Sequence, residues 1–306
     1  MFDKKKQPSV ELAGEAAHAS AVAQLRASFE AIPAGATVRL AKKTSNLFRP
    51  REKANVGLDV SGLTGVISID ADARTADVQG MCTYENLIAA TLEHGLMPLV
   101  VPQLRTITLG GAVTGLGIES TSFKNGLPHE SVLEMDILTG TGELLTASPT
   151  NEHADLFRAF PNSYGSLGYA TRLRIELQPI GDLVETRNVR FASVAAMTRA
   201  IDAIVETREW QGERVDGLDG MIVSKDEAYL VLANFFPETR RRPSDYTGQN
   251  IFYKSISELD RDTLSAHDYI WRWDTDWFWC SDAFFAQNPK VRRVWPRKYR
   301  RSDFYH

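Results

Sequence analysis

The chain has 306 residues, enough for one large or two ordinary domains, with 43% hydrophobic and 24% charged residues, the balance of a globular protein with a real core. A net charge of -4 gives no overall pull toward nucleic acid, and two distant cysteines, Cys82 and Cys280, rule out a disulfide framework and fit a reducing compartment. No run reaches the ~18 apolar residues that a membrane helix needs. The charged start, Met1 to Lys6, has no apolar run behind it, so no secretory leader is expected and a cytoplasmic setting is.

In chain order, Val22, Leu25, Phe29 and Ile32 recur at helical spacing, and "PAGA" at 33–36 ends that helix. "TVRLA" reads as a short strand and "KKTSN" at 42–46 as a polar loop. Residues 65–80 have two apolar runs around a polar turn, the pattern of a hairpin. Thr83 is placed to cap a helix running to about Glu93, with Glu85 in its first turn and Gly95 beyond its end. Residues 97–104 are apolar but hold two prolines, which predicts an edge or irregular segment.

From Thr108 to Ser120 the chain carries four glycines and one charge, Glu119. Such a run lets a ligand or a second backbone come close, and its amides can form an anion-binding concavity; the alternative is a tight loop packed under another loop. It is not a Walker loop, because no lysine follows before Lys124, and it lacks the G-x-G-x-x-G spacing and βαβ setting of a Rossmann fingerprint. Beyond it, 131–148 reads as two strands about a Thr-Gly-Thr-Gly turn, 151–160 as a short helix, and 171–178 as a strand. In that strand Thr171, Leu173, Ile175 and Leu177 share one face. Composition shifts after 178–182. A strand near 189–191, an amphipathic helix with Val194, Met197, Ile201, Ile204 and Val205, and a hairpin over 219–235 follow. Five of six tryptophans lie between Trp271 and Trp295, and the last seventeen residues hold seven Lys or Arg.

The segment "PLVVPQLRTITLGGAVTGLGIESTSFKNGL" resembles the flavin-binding segment of the Δ24-sterol reductase family, within the PCMH-type, vanillyl-alcohol-oxidase-like FAD proteins. "KKTSNLFR", "LEMDILTGTGELLTAS" and "DLFRAFPNSYGSLGYATRLRIEL" agree with it in order. The resemblance implies an α+β fold: a PCMH-type FAD-binding domain of two α+β subdomains over 15–182, then an α+β cap domain over 183–306. The cap is expected to be truncated, since the chain stops within the basic tail, where members of that family continue.

By the same resemblance, noncovalent FAD would lie against Thr108, Leu109, Gly110, Gly111, Ala112, Val113, Thr114, Gly115, Leu116, Gly117, Ile118, Glu119 and Ser120. Thr44, Ser45 and Asn46 would reach phosphate or ribose, and Gly165, Ser166 and Gly168 the adenine end. Glu119 reads either as a carboxylate near flavin or ribose, or as one that pins its own loop. The activity implied is reduction of a lipid C=C bond, in a sterol side chain or a methylene-branched acyl chain, with NADPH or NADH as candidate electron donor. Tyr269 and Arg272 fall on family-like positions. Asp274 departs from the family but is the better acid, since aromatic neighbours would desolvate it and raise its pKa. Asp276 departs from the family in the same way and is an acid of the same kind.

An alcohol or hydroxy-acid oxidase and a non-catalytic FAD-binding fragment are the alternatives. The six histidines show no ligand spacing, so no metal is expected. The basic tail, interleaved with Trp295 and Tyr299, suits peripheral contact with an anionic lipid surface or, equally, a solvated face.

Overall fold

A computed structural model describes residues 10–33, 35–36, 38–41, 57–239, 241–277 and 279–305. The chain divides into two compact units. The first holds 1–99, 106–117 and 128–178; the second holds 100–105, 118–127 and 179–306.

The first unit is built on an antiparallel sheet whose order is Val66–Asp70, Thr75–Gln79, Tyr169–Pro179, Val132–Leu138, Leu144–Ala147, with Leu96–Pro98 also pairing with Tyr169–Pro179. The alternation of the central strand decides its faces: Thr171, Leu173, Ile175 and Leu177 are all buried. From the opposite face Arg172 reaches carboxylates on both flanking strands, Asp77 at 2.5 Å and Asp136 at 2.7 Å, as well as Glu134 at 2.5 Å. One side chain thus ties three strands together.

The apolar stripe read from the sequence forms the helix Gly14–Glu30. Its Ala21 and Leu25 join Leu58, Val60, Leu63, Met81 and Leu138 in a core that Val22, Phe29 and Ile32 flank. Thr83 caps the helix Tyr84–Leu92 by accepting the Asn86 N–H at 3.3 Å. The prolines at 98 and 102 confine regular structure in that stretch to Leu96–Pro98.

The second unit has its own antiparallel sheet, ordered Gly217–Ser224, Glu227–Asn234, Leu183–Phe191, Arg261–Ser265. The helix Val194–Thr207, capped by Ser193, buries Met197, Ala200 and Ile204 against Ala228, Leu230 and Leu232 of the second strand. Behind the short helix Ala266–Trp271, Phe252 packs edge-on against Tyr246 at 5.2 Å and Trp273 at 5.0 Å. Among the described residues no helix is long and apolar enough to cross a membrane, and no group of three or more His, Cys, Asp or Glu is placed to hold a metal.

Candidate active site and cofactor surface

The glycine run differs from a loop: Leu109–Gly115 is a helix. Thr108 starts it by accepting the Gly111 N–H at 3.3 Å, and Leu109, Ala112 and Val113 bury one face, which outweighs the poor helix propensity of three glycines. The first-turn amides donate within the chain. Leu109 N–H goes to the Cys82 carbonyl, Gly110 N–H to the Gly80 carbonyl and Ala112 N–H to the Thr108 carbonyl, each at 2.9 Å. The run therefore offers approach more than spare donors.

Its glycines do different work. A Cβ on Gly110 would sit 2.7 Å from the Gly80 carbonyl oxygen, so that glycine lets the helix dock on the backbone beside it. A Cβ on Gly115 would meet nothing within 4 Å, while Gly111, one turn earlier, is exposed. Gly111 and Gly115 lie four residues apart and so share a face of bare backbone, a surface a flat or extended ligand can approach.

The turn at 162–168 packs onto the end of this helix. Tyr164 donates its N–H to the Thr114 carbonyl and its hydroxyl to the Gly115 carbonyl, both at 3.2 Å. This brings the turn carrying Gly165, Ser166 and Gly168 beside the glycine helix. The Ser166 hydroxyl closes its own turn on the Ser163 carbonyl, and Gly168 is needed where a Cβ would lie 2.3 Å from the Leu138 carbonyl oxygen. Thr44, Ser45 and Asn46 lie outside the described residues.

The rest of the sequence-derived site falls in the second unit, around a cavity of about 430 Å³. Its walls are Gln103, Ile118, Glu119, Ser120, Leu218, Asp219, Gly220, Met221, Ile222, Tyr253, Trp273 and Trp279. The segment 118–120 is fixed by three hydrogen bonds. Glu119 N–H donates to the Ser122 hydroxyl at 3.0 Å, Ser122 N–H to the Glu119 carbonyl at 2.9 Å, and Leu218 N–H to the Ser120 carbonyl at 2.7 Å.

Burial, aided by the charge of Asp219, pushes the Glu119 carboxyl up to about 8; the Gln103 N–H and Arg272 oppose this less strongly. Glu119 therefore both pins a loop, through Gln103, and faces a cavity.

Tyr269 and Arg272 come together just behind this wall. Both are buried, and the guanidinium lies 3.9 Å from the centre of the Tyr269 ring. Arg272 donates to Asp219 and to the Tyr269 carbonyl, and its Nε has no acceptor among the described residues. The Tyr269 hydroxyl lies 3.5 Å from the Ser120 Oγ, and burial raises its phenol pKa.

Asp274 is placed differently. It is fully buried and accepts the Arg105 N–H at 3.0 Å, the Arg105 Nε–H at 2.6 Å and the Ser302 hydroxyl at 2.6 Å, away from the cavity walls. Asp276 is likewise held by Arg292, at 2.7 and 3.0 Å. Two of the tail's basic residues, Arg292 and Arg300, are thus buried structural donors, while Lys290, Arg293, Arg297 and Lys298 are exposed.

Asp219, Gln103 and Tyr253 are the cavity groups that sequence patterning does not single out as site residues. Asp219 lies in a hairpin strand, and its nearness to Glu119 is made by the fold across a hundred residues. An acid in an otherwise apolar strand was the available signal.

Comparison with known proteins bears on both parts. Residues 16–148 match an FAD binding domain family. Cytokinin dehydrogenase 7 of Oryza sativa subsp. japonica is 33% identical over 47% of this chain and 28% of its own length. The Delta(24)-sterol reductase of Pisum sativum is 32% identical over 42% of this chain and 23% of its own length. The matches to these two thus span about a quarter of each relative, and they do not single out the sterol reductases.

A solved structure of alkyldihydroxyacetonephosphate synthase shares the fold, with a TM-score of 0.50 at 17% identity, covering 62% of this chain and 39% of that one. The family match marks residues 16–148 as similar to an FAD binding domain, and the solved structure shares the mixed α+β fold of this chain.

Proposed function

We propose that this chain serves an FAD-dependent oxidoreductase that reduces a carbon–carbon double bond in a lipid, a sterol side chain or a methylene-branched acyl chain. The observation that carries this reading is the second-unit cavity. Its walls combine the apolar and aromatic side chains of Ile118, Leu218, Met221, Ile222, Trp273 and Trp279 with the polar Gln103, Ser120 and Asp219, and Glu119 is a carboxyl that keeps its proton near neutral pH. Apolar walls suit an aliphatic chain, and a few placed polar groups fix it. An isolated alkene has no carbonyl to polarise, so its reduction depends on a positioned acid.

The bare backbone of Gly111 and Gly115, with the turn at 162–168, supports a surface for the cofactor in the first unit. When bound and reduced there, FAD supplies the hydride. The chain's own residues hold the lipid and manage the proton. NADPH or NADH is the proposed source of electrons. Exposed Lys290, Arg293, Arg297 and Lys298, beside exposed Val294, suit contact with an anionic lipid surface from which such a substrate could be drawn.

A second reading is favoured by the dehydrogenase names among the relatives: oxidation of a small substrate by FAD. It needs a base in the cavity where the first needs an acid. Anaerobic reduction of the FAD-loaded chain with NADPH or NADH, followed by mixing with an unsaturated lipid, tests the first reading. Reoxidation at a rate set by lipid concentration supports it. Reduction of the flavin by an alcohol or hydroxy acid supports the second. Flavin that does neither marks a binding protein without turnover.

A further inference from the structure

We propose that Glu119 is the proton donor in the cavity and that Asp219 and Arg272 position it. This rests on the cavity being the lipid site, as argued above. The geometry leaves Glu119 as the group best placed to give up a proton. Tyr253, on the same wall, donates its hydroxyl to Gln287 at 2.8 Å. Tyr269 is turned to Ser120, Lys124 is paired with Asp216 at 3.4 Å, and Arg105 is paired with Asp274. Arg272 is the cation that would otherwise ionise Glu119, and it is engaged by Asp219 and stacked on Tyr269.

Asp219 therefore acts twice. It occupies the guanidinium, and its own negative charge disfavours a second one at Glu119. Burial does the rest.

In the step itself the Glu119 O–H bond breaks and its electron pair stays on the carboxylate. The alkene π pair forms the new C–H bond at one carbon. The other carbon would take a hydride, with its two electrons, which is the chemistry reduced FAD would supply. Water re-protonates Glu119 between turnovers.

The test combines a titration with a rate. In FAD-loaded protein carrying 13C-labelled glutamate carboxyls, one resonance is expected to titrate near 8 and to be absent from Glu119→Gln. In Asp219→Asn the same resonance is expected to titrate at lower pH, since the charge is removed and Arg272 is freed.

Glu119→Gln should slow lipid-driven flavin reoxidation by about 10²–10⁴-fold, the usual worth of a positioned acid, when parent and variant are compared at the same loading of reduced flavin. Asp219→Asn should move the pH profile of reoxidation down with the resonance, which a merely structural role would not do. Turnover with the Glu119 resonance near 4.5, or a parent-like rate in Glu119→Gln, overturns the assignment of Glu119 alone. A parent chain that no unsaturated lipid reoxidises overturns the reductase reading and the donor role with it, even where the resonance titrates near 8.

Discussion

Replacing Asp274 by Asn separates a structural carboxylate from a catalytic one. Asp274 is fully buried and faces the Arg105 guanidinium at 2.6 Å, with the Arg105 side chain only 10% exposed. Asn has nearly the same volume and keeps one acceptor oxygen, but it leaves the guanidinium without its counter-charge. Removing one partner of a buried pair costs about 3–5 kcal/mol, and the retained acceptor places this variant near the lower end, about 3 kcal/mol. For a domain of about 150 residues, at about 2–4 °C per kcal/mol, the unfolding midpoint should fall by about 6–12 °C.

Tryptophan fluorescence is the assay of choice, because all six tryptophans, from Trp210 to Trp295, lie in the second unit. The double variant Arg105→Met with Asp274→Leu should recover only part of the loss, since it removes the unpaired buried charge but leaves the Arg105 N–H and the Ser302 hydroxyl without their acceptor. A parent-like midpoint in Asp274→Asn together with lost turnover would refute this reasoning and restore Asp274 as an acid.

Gly115→Ala should leave the first unit as stable as the parent or slightly more so, because its Cβ meets open space, yet weaken FAD binding in a calorimetric titration; Gly110→Ala should instead lower the unfolding midpoint, its Cβ landing 2.7 Å from the Gly80 carbonyl oxygen. Cys82 is buried, and burial pushes its thiol pKa up to about 12, so a maleimide should modify Cys280 in the native protein and Cys82 only after denaturation, as mass spectrometry would read. Glu119 has a folded-state pKa above its ordinary 4.5, so the folded chain keeps a proton that the unfolded chain releases. Its contribution to stability is full below about 4.5 and falls as pH rises to about 8, and denaturant midpoints of the parent should lose ground over that window relative to Glu119→Gln.

Local pattern made much of the first unit legible. The alternation of Thr171, Leu173, Ile175 and Leu177 marked the central strand, and the stripe through Leu25 marked the first helix. Thr83 announced its helix through capping chemistry that acts within three residues. The glycine run was legible as a place of close approach but not as a helix. Its buried face is short, from Leu109 to Val113, and the carbonyls that receive its first amides come from Gly80 and Cys82, some thirty residues back.

The second unit's chemistry was hidden for the same reason at longer range. Asp274 among aromatics reads as a desolvated acid until Arg105, 169 residues earlier, is seen against it. Conversely, Glu119 in a glycine-rich run reads as a group near flavin or ribose, or as one that pins its loop, until the walls of the cavity and Asp219 close around it. Sequence spacing shows which groups can ionise; the fold decides which of them are paired.

Calorimetric titration of the cofactor-free, folded chain with FAD tests the account most directly. The expected result is saturable one-to-one binding that turns the protein yellow and is weakened by Gly115→Ala. A folded chain that stays colourless and releases no heat on adding FAD would contradict it.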